Sequence, residues 1–267
     1  MKKRYNWNLI VGYVLTGSII LLMLIDVFCA PYNPDKMNVA ERFQAPSIRH
    51  LLGTDNFGRD IFSRIISGIK TTFFVAISTV AFGTFFGVIF GGIAGYIGGW
   101  IDEIIMRVND AILAFPGIIL ALVIVTVLGQ GKYQIVLALG IIFVPSFSRI
   151  TRSEFLQLKD QEFVKSAKVF GASPLRIMFV HILPNTYPAL LSAITIGFSN
   201  AVLSESSLSF LGFGVKPPEP SLGRMLSEAQ GYLFNAPWYA ITTGIVIVIT
   251  VLGFNFISEG IRKVYER

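Results

Sequence analysis

Long apolar runs separated by short charged segments dominate this chain. A membrane-spanning helix needs about 20 consecutive apolar residues, because that length crosses the hydrocarbon core of a bilayer. The pattern predicts an all-α integral membrane protein with six spans. These are Leu9–Ala30, Thr71–Ile101, Ala111–Gly131, Tyr133–Ser148, Thr186–Leu211 and Trp238–Ser258.

The first run follows a basic N-terminus of Lys2, Lys3 and Arg4, which is an opening that secretory signal peptides share. The run is longer than a usual signal core, and no small-x-small cleavage motif precedes Pro31. We interpret it as a retained span, with a cleaved signal peptide as the alternative. Asp26 is then expected near the outer interface, where a charge costs less than at the bilayer centre.

The polar segment after the first span ends in an amphipathic stretch, Arg59–Lys70. Its apolar residues share one helical face: Ile61, Phe62, Ile65, Ile66 and Ile69. This spacing predicts an interfacial helix that leads into the membrane. The chain is divided accordingly. Residues 1–70 hold the first span, an external loop and the interfacial helix, and residues 71–262 form a five-helix core with a cytoplasmic loop at 149–184.

Glycine recurs at every fourth position within the second predicted span, so the glycines fall on one helix face. They are Gly83, Gly87, Gly91 and Gly95. Helices inside lipid associate through close van der Waals contact, which small residues permit. The repeat predicts that this face packs tightly against another helix.

The charged segment Asp160–Pro184 predicts two short helices joined at a bend. Gly171 ends the first helix, because glycine readily adopts the left-handed conformation that closes a helix. Ser173 and Pro174 start the second as its N-cap and first residue. The first helix carries one stripe of larger apolar and small side chains: Phe163, Ala167 and Phe170. The segment is either a docking surface for a soluble partner or a solvated loop between spans.

This segment resembles the cytoplasmic loop motif of permease subunits in binding-protein-dependent ABC importers. That motif reads Glu-Ala-Ala, three residues, Gly, nine residues, Ile-x-Leu-Pro. The matching positions are Ala167, Gly171, Leu183 and Pro184. The differing positions are Lys165 for Glu, Ser166 for the first Ala and His181 for Ile. Two other stretches resemble the peptide/nickel branch of this family: Leu52–Arg64, LGTDNFGRDIFSR, and Ser207–Gly214, SLSFLGFG.

The resemblance implies a type I ABC importer permease fold in which Gly171–Phe179 is the coupling helix. It also implies a second homologous permease, two ATPase subunits that hold ATP and magnesium, and an extracytoplasmic substrate-binding protein. The residues expected to couple to the ATPase are Lys165, Ser166, Ala167, Lys168, Gly171, Ala172, Ser173, Pro174, Leu175 and Arg176. Lys168 and Arg176 would supply charges at the rim of the docking surface. Short peptides, nickel and metal chelates remain alternative cargoes.

Composition agrees with a membrane protein: 53% of the residues are hydrophobic and 14% are charged, against about 25% charged in soluble domains. The net charge of +6 comes from lysines and arginines at segment ends, where they set membrane orientation rather than bind nucleic acid. Their bias predicts that both termini and the segment Asp160–Pro184 are cytoplasmic. The single cysteine, Cys29, excludes an intrachain disulfide.

Sequence motifs for catalysis are absent. The phosphate-binding pattern G-x-x-x-x-G-K-[ST] does not occur, nor do H-E-x-x-H and G-x-S-x-G. The two histidines, His50 and His181, are far apart in the sequence and predict no metal site. We expect no enzymatic activity and no cofactor on this chain.

Glu205 is an ionisable residue inside a predicted span, where a charge is costly unless it faces water or a partner. One hypothesis places it on the translocation path, together with Asn200, Ser204 and Ser206. The alternative is a structural hydrogen bond between helices. Two other classes of function stay open: an ion-coupled secondary transporter that uses Asp26 and Glu205, and a membrane scaffold that recruits a soluble protein.

Overall fold

The computed structural model describes residues 6–29 and 32–265. Its helices are α1 Trp7–Cys29, α2 Ile61–Ile97, α3 Gly99–Leu113, α4 Gly117–Leu128, α5 Lys132–Leu158, α6 Glu162–Val169, α7 Pro174–Arg176, α8 Tyr187–Phe210, α9 Leu222–Gln230 and α10 Pro237–Tyr265. Five helical stretches are long and apolar enough to cross a membrane, and six if α3 and α4 count as one bent span. The predicted basic N-terminus at Lys2, Lys3 and Arg4 lies outside the described residues, as does the side chain of Asp26.

Helix α2 replaces two predicted elements. The sequence predicts an interfacial helix at Arg59–Lys70 and a span at Thr71–Ile101, but one helix runs from Ile61 to Ile97. Asp60 caps it by accepting a hydrogen bond from the backbone N–H of Ser63 at 2.8 Å. The predicted boundary at residue 70 therefore falls inside a helix. Its 37 residues are about 55 Å long, more than the roughly 30 Å of hydrocarbon, so at least one end projects from the membrane.

The apolar face of the first turns of α2 packs inside the protein rather than on lipid. Ile61, Ile65 and Ile69 are fully buried among α8, α9 and α10 side chains. The prediction of an interfacial position was wrong because one apolar face looks the same whether it contacts lipid or another helix.

The third predicted span, Ala111–Gly131, is not one helix. Helices α3 and α4 meet at an angle of 89° around Pro116, because a proline disfavours helical backbone at the residue before it. Helix α4 has 12 residues, about 18 Å, which is too short to cross the membrane alone. The charged stretch 102–110 is helical rather than a loop.

Helix α5 extends ten residues beyond its predicted end at Ser148 and contains Pro145. Arg149 and Arg152, which mark the start of a loop in the sequence, lie on this helix. Arg149 pairs with Asp110 at 2.6 Å, and Arg152 pairs with Asp102 at 2.5 Å. The loop expected at 149–184 is correspondingly shorter, because partners on α3 neutralise both arginines.

The glycine face of α2 lies against α5. A β-carbon added at Gly83 would come within 2.8 Å of Cβ of Phe143, and one at Gly95 within 2.8 Å of the carbonyl oxygen of Arg152. A β-carbon at Gly87 would come still closer to Cβ of Phe147, and one at Gly91 would come still closer to the carbonyl oxygen of Ser148. The absence of side chains on this face lets the two helix backbones touch.

Gly91→Ala is expected to lower the free energy of unfolding by about 1–3 kcal/mol, because its methyl group would collide with the carbonyl oxygen of Ser148. Thermal unfolding of the detergent-solubilised protein measures the change. Gly244→Ala in α10 is the matched control, since a β-carbon there meets no atom within 4 Å. Equal melting temperatures for both variants would contradict the packing argument.

One end of the bundle is closed by the loop 32–60 and by α9. Ser221 caps α9 by accepting a hydrogen bond from the backbone N–H of Arg224 at 3.2 Å. Leu222 and Met225 are fully buried against the bundle. The helix is too short for its apolar period to stand out among the neighbouring prolines and glycines.

A cluster of buried charges joins this loop to α2, α9 and α10, and we call it the Glu228 cluster. Its members are Asp55, Arg59, Arg64, Glu228 and Tyr239. Arg59 donates to Asp55 at 2.6 Å and to Glu228 at 3.0 Å. Arg64 and the hydroxyl of Tyr239 each donate to Glu228 at 3.2 Å. Arg59 and Arg64, which lie off the apolar face of the predicted interfacial helix, are both nearly inaccessible to solvent.

Candidate functional site

The segment between α5 and α8 lies at the opposite end of the bundle from α9. Helix α6 ends where the sequence predicts, with Gly171 in the left-handed region at φ +80°. The backbone N–H of Ala172 donates to the carbonyl of Ala167 at 3.0 Å, and that of Gly171 donates to Lys168 at 3.0 Å. These two bonds turn the chain sharply after α6.

Ser173 starts α7, accepting a hydrogen bond from the backbone N–H of Arg176 at 3.4 Å, and Pro174 is the first helical residue. The helix then continues through a π-helical stretch, Ile177–Ile182, and a 3-10 turn, Leu183–Thr186, into α8. Pro184 lies inside this continuous helical run rather than at a break in it. Helical backbone therefore joins α7 to α8 with no irregular loop between them, so a displacement of α7 is transmitted directly to α8.

The two faces of this segment differ in chemistry. Val164, Ile177 and Ile182 are buried around Phe155 of α5 and fix the segment to the bundle. On the other face, Phe170 is 89% exposed and Val169 is 85% exposed, and Leu175 of α7 is 67% exposed. Of the predicted stripe, Ala167 packs against this buried cluster, whereas Phe163 and Phe170 are exposed and Val164 is the fully buried residue of α6.

Charged side chains surround the exposed apolar residues. Lys165 donates to Glu162 at 2.8 Å, and this hydrogen bond lowers the pKa of the Glu162 carboxyl and raises the pKa of the Lys165 ammonium. The ammonium of Lys168 lies 5.8 Å from the ring centre of Tyr96. Of the ten residues predicted to couple to an ATPase, Ala167 and Ala172 are half-buried and the other eight are exposed. The segment therefore exposes both apolar and charged side chains.

The four predicted path residues separate into two environments. Asn200 is exposed and Ser204 half-buried on one face of α8, whereas Glu205 and Ser206 are buried. Glu205 accepts hydrogen bonds from Thr72 at 3.0 Å and from Ser209 at 2.6 Å. Glu205 therefore joins α8 to α2 within this chain and faces no open surface.

Glu205→Gln is expected to assemble and to keep most of its transport, with about 1 kcal/mol lost from the free energy of unfolding, because one carbonyl oxygen still accepts a hydrogen bond. Uptake by the assembled transporter measures this. Glu205→Ala leaves Thr72 and Ser209 without their acceptor and is expected to lower the yield of folded protein. If Glu205→Gln assembled normally but lost uptake, that result would support a position of Glu205 on the translocation path.

His50 is buried beside two carboxylates at the α9 end. Its Nδ1 lies 2.9 Å from Asp60, and its Nε2 lies 3.7 Å from Glu41. Across residues 6–29 and 32–265, no group of three or more His, Cys, Asp or Glu side chains is arranged to hold a metal ion. Asp60 caps α2, so this contact secures the start of that helix.

The described residues form a helical membrane bundle with exposed apolar side chains on the segment between two of its spans. Residues 87–267 match the family described as "Binding-protein-dependent transport system inner membrane component", and the chain belongs to this family.

Relatives with curated names match nearly the whole chain. The chain is 40% identical over 261 residues to the dipeptide transport system permease protein DppC of Alkalihalophilus pseudofirmus, covering 96% of this chain and 84% of that protein. It is 38% identical to DppC of Haemophilus influenzae, covering 98% and 91%. The glutathione transport system permease protein GsiD of Salmonella typhimurium is 40% identical, with 96% and 86% covered.

A solved structure of the methionine ABC transporter MetNI in an inward-facing conformation has a similar fold. The TM-score is 0.63 at 19% sequence identity, and the match covers 76% of this chain and 97% of that chain. At this identity the likeness concerns the fold alone. The chain has the type I ABC importer permease fold.

Proposed function

We propose that this chain carries short peptides across the cytoplasmic membrane as one permease of an ABC importer. A second homologous permease completes the path, two ATPase subunits bind ATP and magnesium, and an extracytoplasmic binding protein delivers the cargo. Both termini and the segment that includes α6 and α7 are cytoplasmic. The relatives above are named for dipeptide and glutathione transport, which supports a peptide cargo.

The proposal rests mainly on the exposed surface of α6 and α7. Phe170 and Leu175 present apolar area that a soluble ATPase would bury, and the charges around it would fix its orientation. The same segment packs on α5 through Val164 and continues into α8. ATP-driven closure of the two ATPases would pull α7 and shift the bundle between inward-open and outward-open states.

Nickel and metal-chelate cargoes receive less support than peptides. The described residues hold no metal-ligating cluster, and the relatives above are named for dipeptide and glutathione transport. A bare cation would need oxygen, nitrogen or sulfur ligands at several points of its path.

Reconstitution into vesicles tests the proposed function. The chain, its second permease and the ATPases are expected to accumulate a radiolabelled dipeptide only with ATP and the loaded binding protein. Uptake driven by an ion gradient without ATPases would support a secondary transporter. Co-purification with the ATPases but no uptake of any cargo would support a scaffold.

A further inference from the structure

A cleft of about 320 Å³ opens between α5 and α8, beside the end of α3. One stripe of each long helix faces it. The lining residues are Leu113, Ile142, Phe143, Ser146, Phe147, Ile150, Ala193, Ile196, Gly197, Asn200 and Ser204. Most of the wall is therefore apolar, with three neutral polar side chains set into it.

Contact with lipid would be energetically unfavourable for the three polar side chains. Asn200 and Ser204 are one turn apart on α8, and Ser146 follows Pro145 on α5. Asn200 and Ser146 are exposed in this chain. An amide group facing hydrocarbon would lose its hydrogen bonds at a cost of several kcal/mol, so this face meets water or another polar molecule.

We propose that this cleft is the substrate-binding half-path of this subunit and that it binds the amide groups of a peptide. The inference rests on the proposed function and names the residues and the chemistry of its path. Asn200 contacts the peptide through both a donor and an acceptor, and Ser146 and Ser204 contribute hydroxyl groups. Glu205 and Ser206 are outside this site.

The chemistry of the wall selects the cargo class. Among the described residues that line the cleft, none is charged and none is a histidine or cysteine. Neutral donors and acceptors match the N–H and C=O groups of a peptide, and the apolar wall accepts varied side chains. The same wall offers a bare metal cation no strong ligand. Weak, neutral contacts also let the substrate leave the path.

Asn200→Ala is the first test, made in the full transporter. The KM for dipeptide uptake, measured with saturating binding protein, is expected to rise about tenfold, while ATP hydrolysis stimulated by the loaded binding protein stays unchanged. Thr195→Ala is the control, because Thr195 lies about 140° around α8 from Asn200, does not line the cleft and donates to the carbonyl of Leu191 at 2.8 Å. An Asn200→Ala transporter with wild-type uptake kinetics would overturn the inference.

Cysteine labelling is the second test and does not depend on the kinetics of a variant. In a Cys29→Ser background, Ser204→Cys is expected to react with a charged, membrane-impermeant thiol reagent, and a transported dipeptide should slow the reaction at least threefold. Ser47→Cys, at an exposed position of the loop 32–60 and away from the cleft, is the control: it should react and gain no protection. No reaction at Ser204→Cys, or a reaction that the dipeptide leaves unchanged, would contradict the assignment.

Failure of the cleft assignment and failure of the proposed function would give different results. If the unsubstituted transporter takes up dipeptide with ATP but the cleft variants behave like the wild type, the cleft assignment is wrong and the proposed function stands. If the unsubstituted transporter takes up no dipeptide, the proposed cargo is wrong, and the cleft inference is overturned with it.

Discussion

Leu175→Asp is expected to reduce ATP-driven uptake at least a hundredfold while the protein still inserts into the membrane. Leu175 is 67% exposed on α7, so the aspartate costs the isolated chain little. In the assembled transporter the same carboxylate would be buried in an apolar contact, where an unpaired charge costs several kcal/mol. Uptake into vesicles and co-purification of the ATPases measure the effect.

Gly171→Pro tests the same surface through the backbone. Proline fixes φ near −65° and has no N–H, whereas Gly171 has φ +80° and donates to Lys168. The turn between α6 and α7 must then change, and uptake should fall as in Leu175→Asp. Leu175→Met is the conservative control and should transport normally. Wild-type uptake in both disruptive variants would refute the coupling role of α7.

Glu228→Ala is expected to lower the free energy of unfolding by about 3 kcal/mol or more. Glu228 accepts hydrogen bonds from Arg59, Arg64 and Tyr239, and its removal leaves two buried guanidinium groups without that carboxylate. Breaking one side of a buried ion pair is costly because the remaining charge stays desolvated. Thermal unfolding and protease resistance of the loop 32–60 measure the change.

Glu103→Ala provides the matched control for this cluster. Glu103 pairs with Arg107 at 3.4 Å on α3, but both side chains are largely exposed. An exposed pair of this kind contributes little to stability, so the melting temperature should hardly move. A similar fall in melting temperature in both variants would mean that the contribution of Glu228 to stability does not depend on the burial of its cluster.

The glycine repeat and the bend at Gly171 were predictable because each depends on local chemistry. A glycine every fourth residue removes side chains from one helix face, wherever that helix packs. Gly171 and Ser173 act on the backbone of their immediate neighbours. The relation between α6 and α5 was not predictable, since either Val164 or Phe163 is apolar enough to face the core.

Charged residues account for two differences between prediction and structure. Arg149 and Arg152 suggest the end of a span, and Arg59 and Arg64 lie in or beside a helix that is predicted to be interfacial. All four have carboxylate partners on other helices or segments that are distant in the sequence. No pattern in the neighbouring sequence indicates such a carboxylate partner.

By itself the sequence determined that this chain is a helical membrane protein with a bent polar segment before its fifth span. Apolar length and local backbone chemistry suffice for that, because a bilayer requires long, internally hydrogen-bonded helices. Tertiary structure alone decided that Glu205 is buried while Asn200 faces a cleft, and that Glu228 pairs with two arginines distant in the sequence, Arg59 and Arg64. Those outcomes depend on which helix faces meet, and a periodic apolar pattern does not specify the neighbour.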